Sequence, residues 1–393
     1  MVSTVGVIVL ILAFAPIAYY LLSLYCVLGY FGGLRKLRPR DWSFAPPISI
    51  VKPVRGVDHE AYENFSSFCR LNYPEYEMVF AVTDPDDPVV PVIRKLQRDF
   101  PSRPIRLVSG VAHLGANKKV NNLCRLVREA KYDLVVMSDS DVRVGPHYLR
   151  SVAAPFADPA VGVVTAFYRG ICGENLASHL DGLGMYSDSA PAALVARKLE
   201  GSMRFAFGWT MATTKAILAQ IGGFESMVNH HSDDFELGNR IARLGYRVEL
   251  MCEPVWMVFP EETLGEFWDH EVRWSVGLRN VRPAGYLGML FTHGLPWSLL
   301  AATICEGVGL TGLAVAYLLA YLLLRLGMIW TTGVWGLGDK QIIWKSFLIP
   351  LRDAVSFTAW IVGLFSNRVV WRGFEYRVRK GLLVSAESAK SAN

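Results

Sequence analysis

The chain has 393 residues, of which 52% are hydrophobic and only 19% charged, with a formal net charge of +5 at pH 7. This length suffices for one domain of ordinary size plus membrane segments, and the high apolar share predicts that part of the surface faces lipid. The modest basic excess favours anionic lipid headgroups over nucleic acid as a partner. The six cysteines are scattered without a CxxC pair, which argues against a zinc framework and a disulfide scaffold.

The N-terminal segment, residues 1–34, carries no charged side chain, and its apolar run at 5–31 is long enough to span a bilayer. A signal peptide fits poorly, because the segment has no basic start and no Ala-x-Ala site follows it. The positive-inside rule places the basic residues after the run in the cytoplasm, and with them everything from about residue 35 onward. These basic residues are Arg35, Lys36, Arg38 and Arg40.

The middle of the chain, from about 46 to 260, alternates strand-like and helix-like segments. Strands are expected at 48–54, 77–83, 105–108, 133–138, 161–167, 205–212 and 247–258. Helices are expected at 61–71, 90–100, 120–130, 192–199, 214–221 and 234–244. Alternation of this kind predicts an α/β domain with a doubly wound, mainly parallel sheet.

The C-terminal third is predicted to be membrane-associated. Residues 263–280 suit an amphipathic helix at the membrane interface, with Leu264, Phe267 and Val272 near one face. The apolar run at 295–324 is either one span or a tight hairpin, and 342–365 is the last candidate span. A cytoplasmic basic tail requires an even number of spans after the α/β domain; two fit, with Asp339 in an outside loop.

These observations predict five regions: an anchor at 1–34, the α/β domain at 35–260, an interfacial region at 261–290, a transmembrane region at 291–367 and a basic tail at 368–393. A GxGxxG sequence at 307–312 lies inside the apolar run, without a preceding strand. We interpret it as small-residue helix packing rather than a dinucleotide site.

Two aspartates one residue apart, Asp139 and Asp141, end the apolar strand at 133–138. Ligands of open α/β sheets bind beyond the carboxyl ends of the strands. Two carboxylates at such a position can hold a hard divalent cation against a diphosphate. The alternative is an acidic turn that caps the following helix.

Other polar residues follow predicted strands or open predicted helices. Asp84 suits contact with the base or sugar of a nucleotide, or is simply a turn acid. Lys119 lies at a helix start that suits a diphosphate, although an exposed basic helix start is also compatible. Asp234 is a candidate proton acceptor or a capping acid. Trp274 suits a lipid anchor, and Arg273 beside it can reach diphosphate oxygens.

Together, these positions resemble the D, DxD, D, (Q/R)xxRW series of family 2-type glycosyltransferases with a Rossmann-like GT-A fold. The chain looks closer still to the ceramide glucosyltransferase group (family 21). That resemblance is carried by Lys-Pro-Val-Arg-Gly-Val-Asp at 52–58, Asn-Tyr-Pro-Glu-Tyr at 72–76, Thr-Asp-Pro-Asp-Asp-Pro at 83–88, Lys-Val-Asn-Asn-Leu at 119–123, Ala-Lys-Tyr-Asp-Leu at 130–134 and Trp-Arg-Gly at 371–373. The last motif of the series departs from the pattern, because His270 replaces its leading Gln or Arg.

The resemblance implies a GT-A domain with N- and C-terminal transmembrane helices. It implies inverting transfer of a hexose, glucose being favoured, from a UDP-sugar to the hydroxyl of a membrane lipid, ceramide being favoured. Asp234 would be the general base, and Asp141 with Asp139 would hold Mn²⁺ or Mg²⁺. The nucleotide-sugar site would comprise Asp84, Lys119, Asp139, Arg273 and Trp274.

Other functions stay open at this point. One is a hopanoid lipid glycosyltransferase that uses UDP-N-acetylglucosamine, and another is a non-catalytic membrane scaffold that binds a nucleotide sugar. A processive polysaccharide synthase would need more spans and an intact QxxRW motif, and a dehydrogenase would need its cofactor fingerprint. The sequence does not define the oligomeric state.

Overall fold

The computed structural model describes residues 3–36 and 42–385. Arg38, Arg40 and the end of the predicted tail at 386–393 lie outside the described residues. The chain forms two compact units, each described by itself. The sheet unit comprises Leu37–Gly173, Leu199–Pro260 and Gly381–Asn393. The helical unit comprises Met1–Lys36, Glu174–Lys198 and Glu261–Lys380.

Helices and strands are numbered in chain order. The helices are α1 (Thr4–Leu12), α2 (Phe14–Lys36), α3 (Ala61–Cys69), α4 (Val90–Asp99), α5 (Lys118–Glu129), α6 (Tyr148–Ala153), α7 (Leu176–Gly184), α8 (Ala190–Glu200), α9 (Lys215–Gln220), α10 (Asp233–Arg243), α11 (Leu264–Val281), α12 (Pro283–Gly288), α13 (Gly294–Glu306), α14 (Thr311–Trp330), α15 (Ile342–Lys345) and α16 (Ile349–Phe365). The strands are β1 (Ile48–Pro53), β2 (Tyr76–Ala81), β3 (Ile105–Val108), β4 (Leu134–Ser138), β5 (Val142–Arg143), β6 (Val161–Thr165), β7 (Tyr168–Cys172), β8 (Thr210–Thr214), β9 (Arg247–Leu250), β10 (Val255–Phe259), β11 (Arg368–Trp371), β12 (Phe374–Arg379) and β13 (Leu382–Ser385).

The main sheet of the sheet unit has, among the described residues, seven strands in the order β3-β2-β1-β4-β8-β6-β9. The β3-β2-β1-β4 half is parallel, whereas β8 runs antiparallel to both of its neighbours. Every residue of β1, β2 and β4 is buried, as expected for strands covered on both faces. The prediction of an α/β fold with a mainly parallel sheet is confirmed.

Two predicted strands of this unit differ from the observed ones. The segment at 247–258 is not one strand but two, β9 in the main sheet and β10 in a small sheet with β5 and β7. Pro254 lies at this break, and proline has no N–H to donate to a sheet. The strand expected at 205–212 begins only at Thr210, because Thr210 N donates to Phe207 O and closes a turn.

The helical unit contains, in the described ranges, three helical segments long and apolar enough to cross a membrane: Thr4–Lys36, Thr311–Gly336 and Ile342–Phe365. The pair Pro283–Thr292 and Gly294–Glu306 also passes together, with a 45° bend between its halves. The predicted membrane helices at both ends of the chain are therefore confirmed as candidate spans.

The apolar run at 295–324 is two helices, α13 and α14, which pack against each other. Gly309 in the connection has a φ of +77°, a left-handed conformation that favours glycine. The interpretation of the GxGxxG sequence as helix packing is wrong, since Gly307 and Gly309 end α13 and form the turn. A Cβ built on Gly309 or Gly312 meets no atom within 4 Å.

Helix α14 lies beside the N-terminal helices and runs in their direction. At its start, the Tyr317 hydroxyl donates to Leu10 O at 2.9 Å. Past its end, the Arg35 guanidinium stacks over the Trp335 ring at 4.2 Å. The start of α14 thus lies beside α1, and the segment past its end lies beside the end of α2, so α14 runs parallel to the N-terminal helices.

The loop after α14 lies at the Arg35 end of this helix layer, not at the opposite end. Within the loop, Asp339 accepts a hydrogen bond from the Tyr186 hydroxyl at 2.7 Å. The expectation that Asp339 and Arg35 lie on opposite sides is wrong. A single long span at 295–324 would place them on opposite sides, but the turn between α13 and α14 adds one reversal of chain direction.

Helix α11 occupies nearly the predicted residues and begins with a capping box between Thr263 and Glu266. Phe267 and Val272 are buried as expected, but Leu264 is 61% exposed. Helix α16 runs alongside α11 in the same direction. Successive turns of the two helices touch through the pairs Glu271–Arg352, Ser275–Ala359 and Arg279–Leu364.

The described part of the predicted basic tail, residues 368–385, contains three strands. β11 and β12 form an antiparallel hairpin, with Arg368 opposite Arg377. Val369, Tyr376 and Val378 share the buried face. Their alternation with charged residues is a strand signal that the basic residues obscured.

Candidate active site

The Asp-x-Asp pair occupies the turn between β4 and β5. β4 is buried between β1 and β8, so its end is fixed by two neighbours. Lys119 Nζ lies 2.7 Å from Asp139 Oδ1, and the two side chains are 17% and 30% exposed. The structure therefore brings Asp139 and Lys119, distant in sequence, into a half-buried ion pair.

Lys119 is held by the loop that opens α5. Asn117 caps the helix, its side-chain oxygen accepting from Val120 N at 3.1 Å. The amide group of the same side chain donates to His230 O at 2.8 Å. Gly115 permits the close approach, because a Cβ there would lie 2.6 Å from Val228 O. One buried asparagine thus ties the start of α5 to the loop before α10.

Two further carboxylates come from the first turn of α10. Asp233 Oδ2 lies 3.9 Å from Lys119 Nζ. Asp234 accepts from Gly208 N at 3.0 Å and from Phe235 N at 2.7 Å. A Cβ on Gly208 would lie 3.3 Å from Asp234 Oδ2 and 3.4 Å from Lys119 Nζ, so glycine leaves room for both side chains.

The carboxylates of this cluster are biased toward holding protons. Burial, and next the charge of Asp233, raise the pKa of Asp234 to about 6. Burial also raises the pKa of Asp233, although Lys119 opposes it. Burial alone would lower the pKa of Lys119, but Asp139 and Asp233 outweigh it and raise that pKa above its usual range. A carboxyl with a pKa near 6 is suited to accept a proton near neutral pH.

A second lysine, Lys52, lies behind the Asp-x-Asp turn. Its ammonium group donates to Asp139 O at 2.9 Å and Ser138 Oγ at 3.2 Å, and sits 3.7 Å from the Phe68 ring centroid. Burial lowers its pKa to about 7, against the opposing charges of Asp139 and Asp141. Lys52 was not predicted as a site residue, although a charged side chain within a mainly aliphatic strand was a usable signal.

Asp84 is exposed and accepts a hydrogen bond from Asp86 N at 2.9 Å, the geometry of a turn acid. The neighbouring Asp87 accepts from Gly56 N with both carboxylate oxygens at 3.0 Å. Asp87 thereby fixes the loop after β1, a contact not anticipated from the sequence. A nucleotide-binding role for Asp84 stays a prediction.

Arg273 and Trp274 lie on α11 in the helical unit. The Arg273 guanidinium is 5.6 Å from the centroid of the Trp371 ring. Trp274 meets His270 edge to face at 4.9 Å. Their predicted contact with a diphosphate stays a prediction.

The Asp-x-Asp turn offers two carboxylates as possible metal ligands. Within residues 3–36 and 42–385, no group of three or more His, Cys, Asp or Glu residues is placed to hold a metal ion. Mg²⁺ sites in nucleotide enzymes commonly use one or two carboxylates and take their remaining oxygens from phosphates and water. Asp139 and Asp141 supply hard oxygen donors of this kind, which also suit Mn²⁺. The residues present therefore fit a cation that binds together with a diphosphate.

The fold and this acidic strand end define a class, the glycosyltransferases of GT-A architecture. A solved structure with this fold is the mannosyltransferase PcManGT from Pyrobaculum calidifontis in complex with GDP-Man and Mn²⁺. It aligns with a TM-score of 0.56 at 18% identity, over 90% of this chain and 99% of that chain. The chain belongs to glycosyl transferase family 21, whose model matches residues 8–384.

Two similar curated proteins are named ceramide glucosyltransferase. Ceramide glucosyltransferase 3 of Caenorhabditis elegans is 26% identical over 241 residues, covering 60% of this chain and 51% of the relative. Ceramide glucosyltransferase of Candida albicans is 33% identical over 117 residues, covering 26% of this chain and 21% of the relative. The chain thus spans about half the length of the nematode relative.

Proposed function

We propose that this protein transfers a hexose, with glucose as the favoured sugar, from a UDP-sugar to the hydroxyl of a membrane lipid of the ceramide class. The transfer would proceed by a single displacement with inversion, giving a β-glycosidic lipid. The observation that carries the proposal is the cluster of Asp139, Lys119, Asp233 and Asp234 beyond the strand ends of the sheet unit.

Asp234 is the general base in this proposal. Its two backbone hydrogen bonds fix the carboxylate, and its raised pKa suits removal of a proton from the attacking hydroxyl. Asp233, when ionised, places a second negative charge beside it, which contributes to that raised pKa. Gly208 leaves room for the Asp234 carboxylate and the Lys119 ammonium group side by side.

Lys119 supplies positive charge at the strand ends, where the departing diphosphate would carry negative charge. It pairs with Asp139 in the described structure and would exchange part of that pairing for phosphate oxygens. Asp141 and Asp139 would hold Mn²⁺ or Mg²⁺, which, when bound, neutralises charge on the diphosphate. Arg273 would add a further cation.

The donor and acceptor classes rest on relatives. A mannosyltransferase with the same fold binds GDP-Man with Mn²⁺, which supports a nucleotide-sugar donor and a divalent cation. The relatives named ceramide glucosyltransferase support glucose and ceramide. The apolar helices of the helical unit supply a membrane region in which a lipid acceptor can reside.

The test is UDP release by the purified full chain in nanodiscs, with UDP-glucose and ceramide, followed by mass spectrometry of the lipid and NMR of the anomeric proton. We expect a new hexosylceramide with β configuration. Binding of UDP-glucose without UDP release to any lipid would instead indicate a scaffold. Product formed only from UDP-N-acetylglucosamine and a hopanoid would reassign both substrates.

A further inference from the structure

The loop before α10, residues 228–231, is held on one side by the start of α5. We call it the base loop, because it leads into the helix that carries the proposed general base. Asn117 N donates to Val228 O, and Asn117 Nδ2 donates to His230 O, each at 2.8 Å. Two carbonyl groups of the base loop therefore face the start of the helix that carries Lys119.

The other side of the base loop is bonded to β13, a strand that is distant in sequence. Leu383 N donates to Asn229 O at 2.7 Å, and His231 N donates to Gly381 O at 2.9 Å. Between these two bonds, the two segments form an antiparallel bridge. Successive residues of the base loop thus bond alternately to α5 and to β13, as in a strand between two neighbours. The Leu383 side chain is only 4% exposed, so packing as well as hydrogen bonding anchors β13.

The start of α10 lacks the local support that other helix starts of the sheet unit have. In the described structure, its N-cap residue Ser232 makes no side-chain cap hydrogen bond. The N-cap residues of α5 and α9, Asn117 and Thr214, each make one. Because a side-chain cap is what usually fixes the first turn of a helix, the bonds of the base loop contribute more to fixing this one.

We propose that β13 is a positioning strand for the proposed base Asp234, an inference that rests on the proposed function. β13 acts through the base loop, which it holds against the start of α5. Loss of the β13 bonds allows the base loop to move, and the first turn of α10 with it. Asp234 then leaves the geometry that its hydrogen bond from Gly208 N records. The effect falls on the chemical step, because catalysis depends steeply on the position of the base.

The first test compares Leu383→Pro with Leu383→Ile in the full chain, both assayed by UDP release. Proline has no N–H to donate to Asn229 O, whereas isoleucine keeps this bond and the buried bulk. We expect kcat to fall about 10²-fold in Leu383→Pro, as for a roughly 1 Å displacement of a catalytic group, and to stay near wild type in Leu383→Ile. The UDP-glucose KM should be unchanged in both, because Asn117 caps α5 through Val120 N independently of β13.

The second test uses the acid side of the pH profile to separate positioning from a loss of folded protein. Burial is the main cause that raises the pKa of Asp234 to about 6, and the charged groups that act on it are Asp233, Lys119 and Asp139. When the base loop loosens, water reaches the carboxylate and its pKa falls toward the usual value. The midpoint of kcat/KM in Leu383→Pro should therefore lie below the wild-type midpoint near pH 6. A smaller folded fraction would lower the rate at every pH and leave the midpoint unchanged.

The outcomes separate this inference from the proposed function. Wild-type kcat in Leu383→Pro would overturn the positioning role, and so would a reduced kcat with an unmoved midpoint. If Leu383→Pro does not fold, Leu383→Ala removes most of the buried side chain and supplies the same comparison. A lower kcat together with a lower midpoint supports the role in that variant, and wild-type values contradict it. Failure of the wild-type protein to release UDP with any lipid acceptor would instead overturn the proposed function.

Discussion

At the residue scale, Asp234 combines two backbone hydrogen bonds with a like-charged neighbour, so its position is fixed while its charge is disfavoured. Asp234→Asn preserves the shape but cannot accept a proton. We expect a loss of about 10²–10⁴-fold in kcat, measured by UDP release, with donor binding retained. Near-normal turnover would contradict this role and direct attention to Asp233, whose Asp→Asn variant is the natural comparison.

The raised pKa of Asp234 also predicts the acid side of the pH profile. The base acts only when deprotonated, so kcat/KM should fall about tenfold per pH unit below a midpoint near pH 6. Replacing the neighbouring charge in Asp233→Asn removes a cause of the raised pKa. The midpoint should then move to lower pH, and an unchanged midpoint would show that Asp233 does not set it.

The Asp-x-Asp pair predicts a requirement for a divalent cation. EDTA should abolish transfer, and Mn²⁺ or Mg²⁺ should restore it, because Asp139 and Asp141 offer hard oxygen donors beside a cationic lysine. Asp141→Asn should raise the metal concentration needed for half-maximal rate. Full turnover in EDTA would contradict the metal requirement and indicate that Lys119 and Arg273 neutralise the charge of the diphosphate.

At the element scale, Asn117 holds two helix starts together, since it caps α5 and also bonds to the loop before α10. Asn117→Ala should cost about 0.5–2 kcal/mol for the cap and also displace Lys119, raising the UDP-glucose KM. Thr214→Ala removes the cap of α9, where Thr214 accepts from Ile217 N. This control should lower the thermal midpoint comparably while leaving the donor KM unchanged.

The regular elements of the α/β region were predictable because each strand is an apolar run bounded by turn residues. β3 matches its predicted bounds, and β1 and β4 differ from theirs by a residue at one end. The Asp-x-Asp at the end of β4 was readable for the same reason. The break between β9 and β10 was missed although Glu253 and Pro254 mark it locally, since apolar residues flank them on both sides and the two strands pair in different sheets.

Contacts between distant segments explain what the sequence could not predict. Lys52 reaches the Asp-x-Asp turn because β1 and β4 are neighbours. Gly208 contacts Asp234 because the loop before β8 meets the start of α10. Neither adjacency has a local signature. The α13–α14 turn was ambiguous because apolar periodicity is the same in one long helix and in two short ones.

At the scale of the whole molecule, the direction of the helices decides which loops share a side of the membrane. The charge-free start and the basic residues after it predict that the Arg35 end of α2 is cytoplasmic. α14 runs in the same direction, so the loop holding Asp339 and Lys340 should be cytoplasmic as well. The turn between α13 and α14 should lie at the outer end, and α16 beside α11 should follow the interface instead of crossing.

Cysteine labelling reads out this arrangement, with the native cysteines removed and one cysteine introduced at a time. Leu310, in the α13–α14 turn, and Lys340, in the loop after α14, are both exposed in the protein. We expect Leu310→Cys to react with a membrane-impermeant maleimide in intact cells and Lys340→Cys to react only after lysis. The reverse pattern would restore one crossing between the interfacial helix and Lys340. It would also require α16 to cross back, since the basic residues after Phe365 favour the cytoplasm.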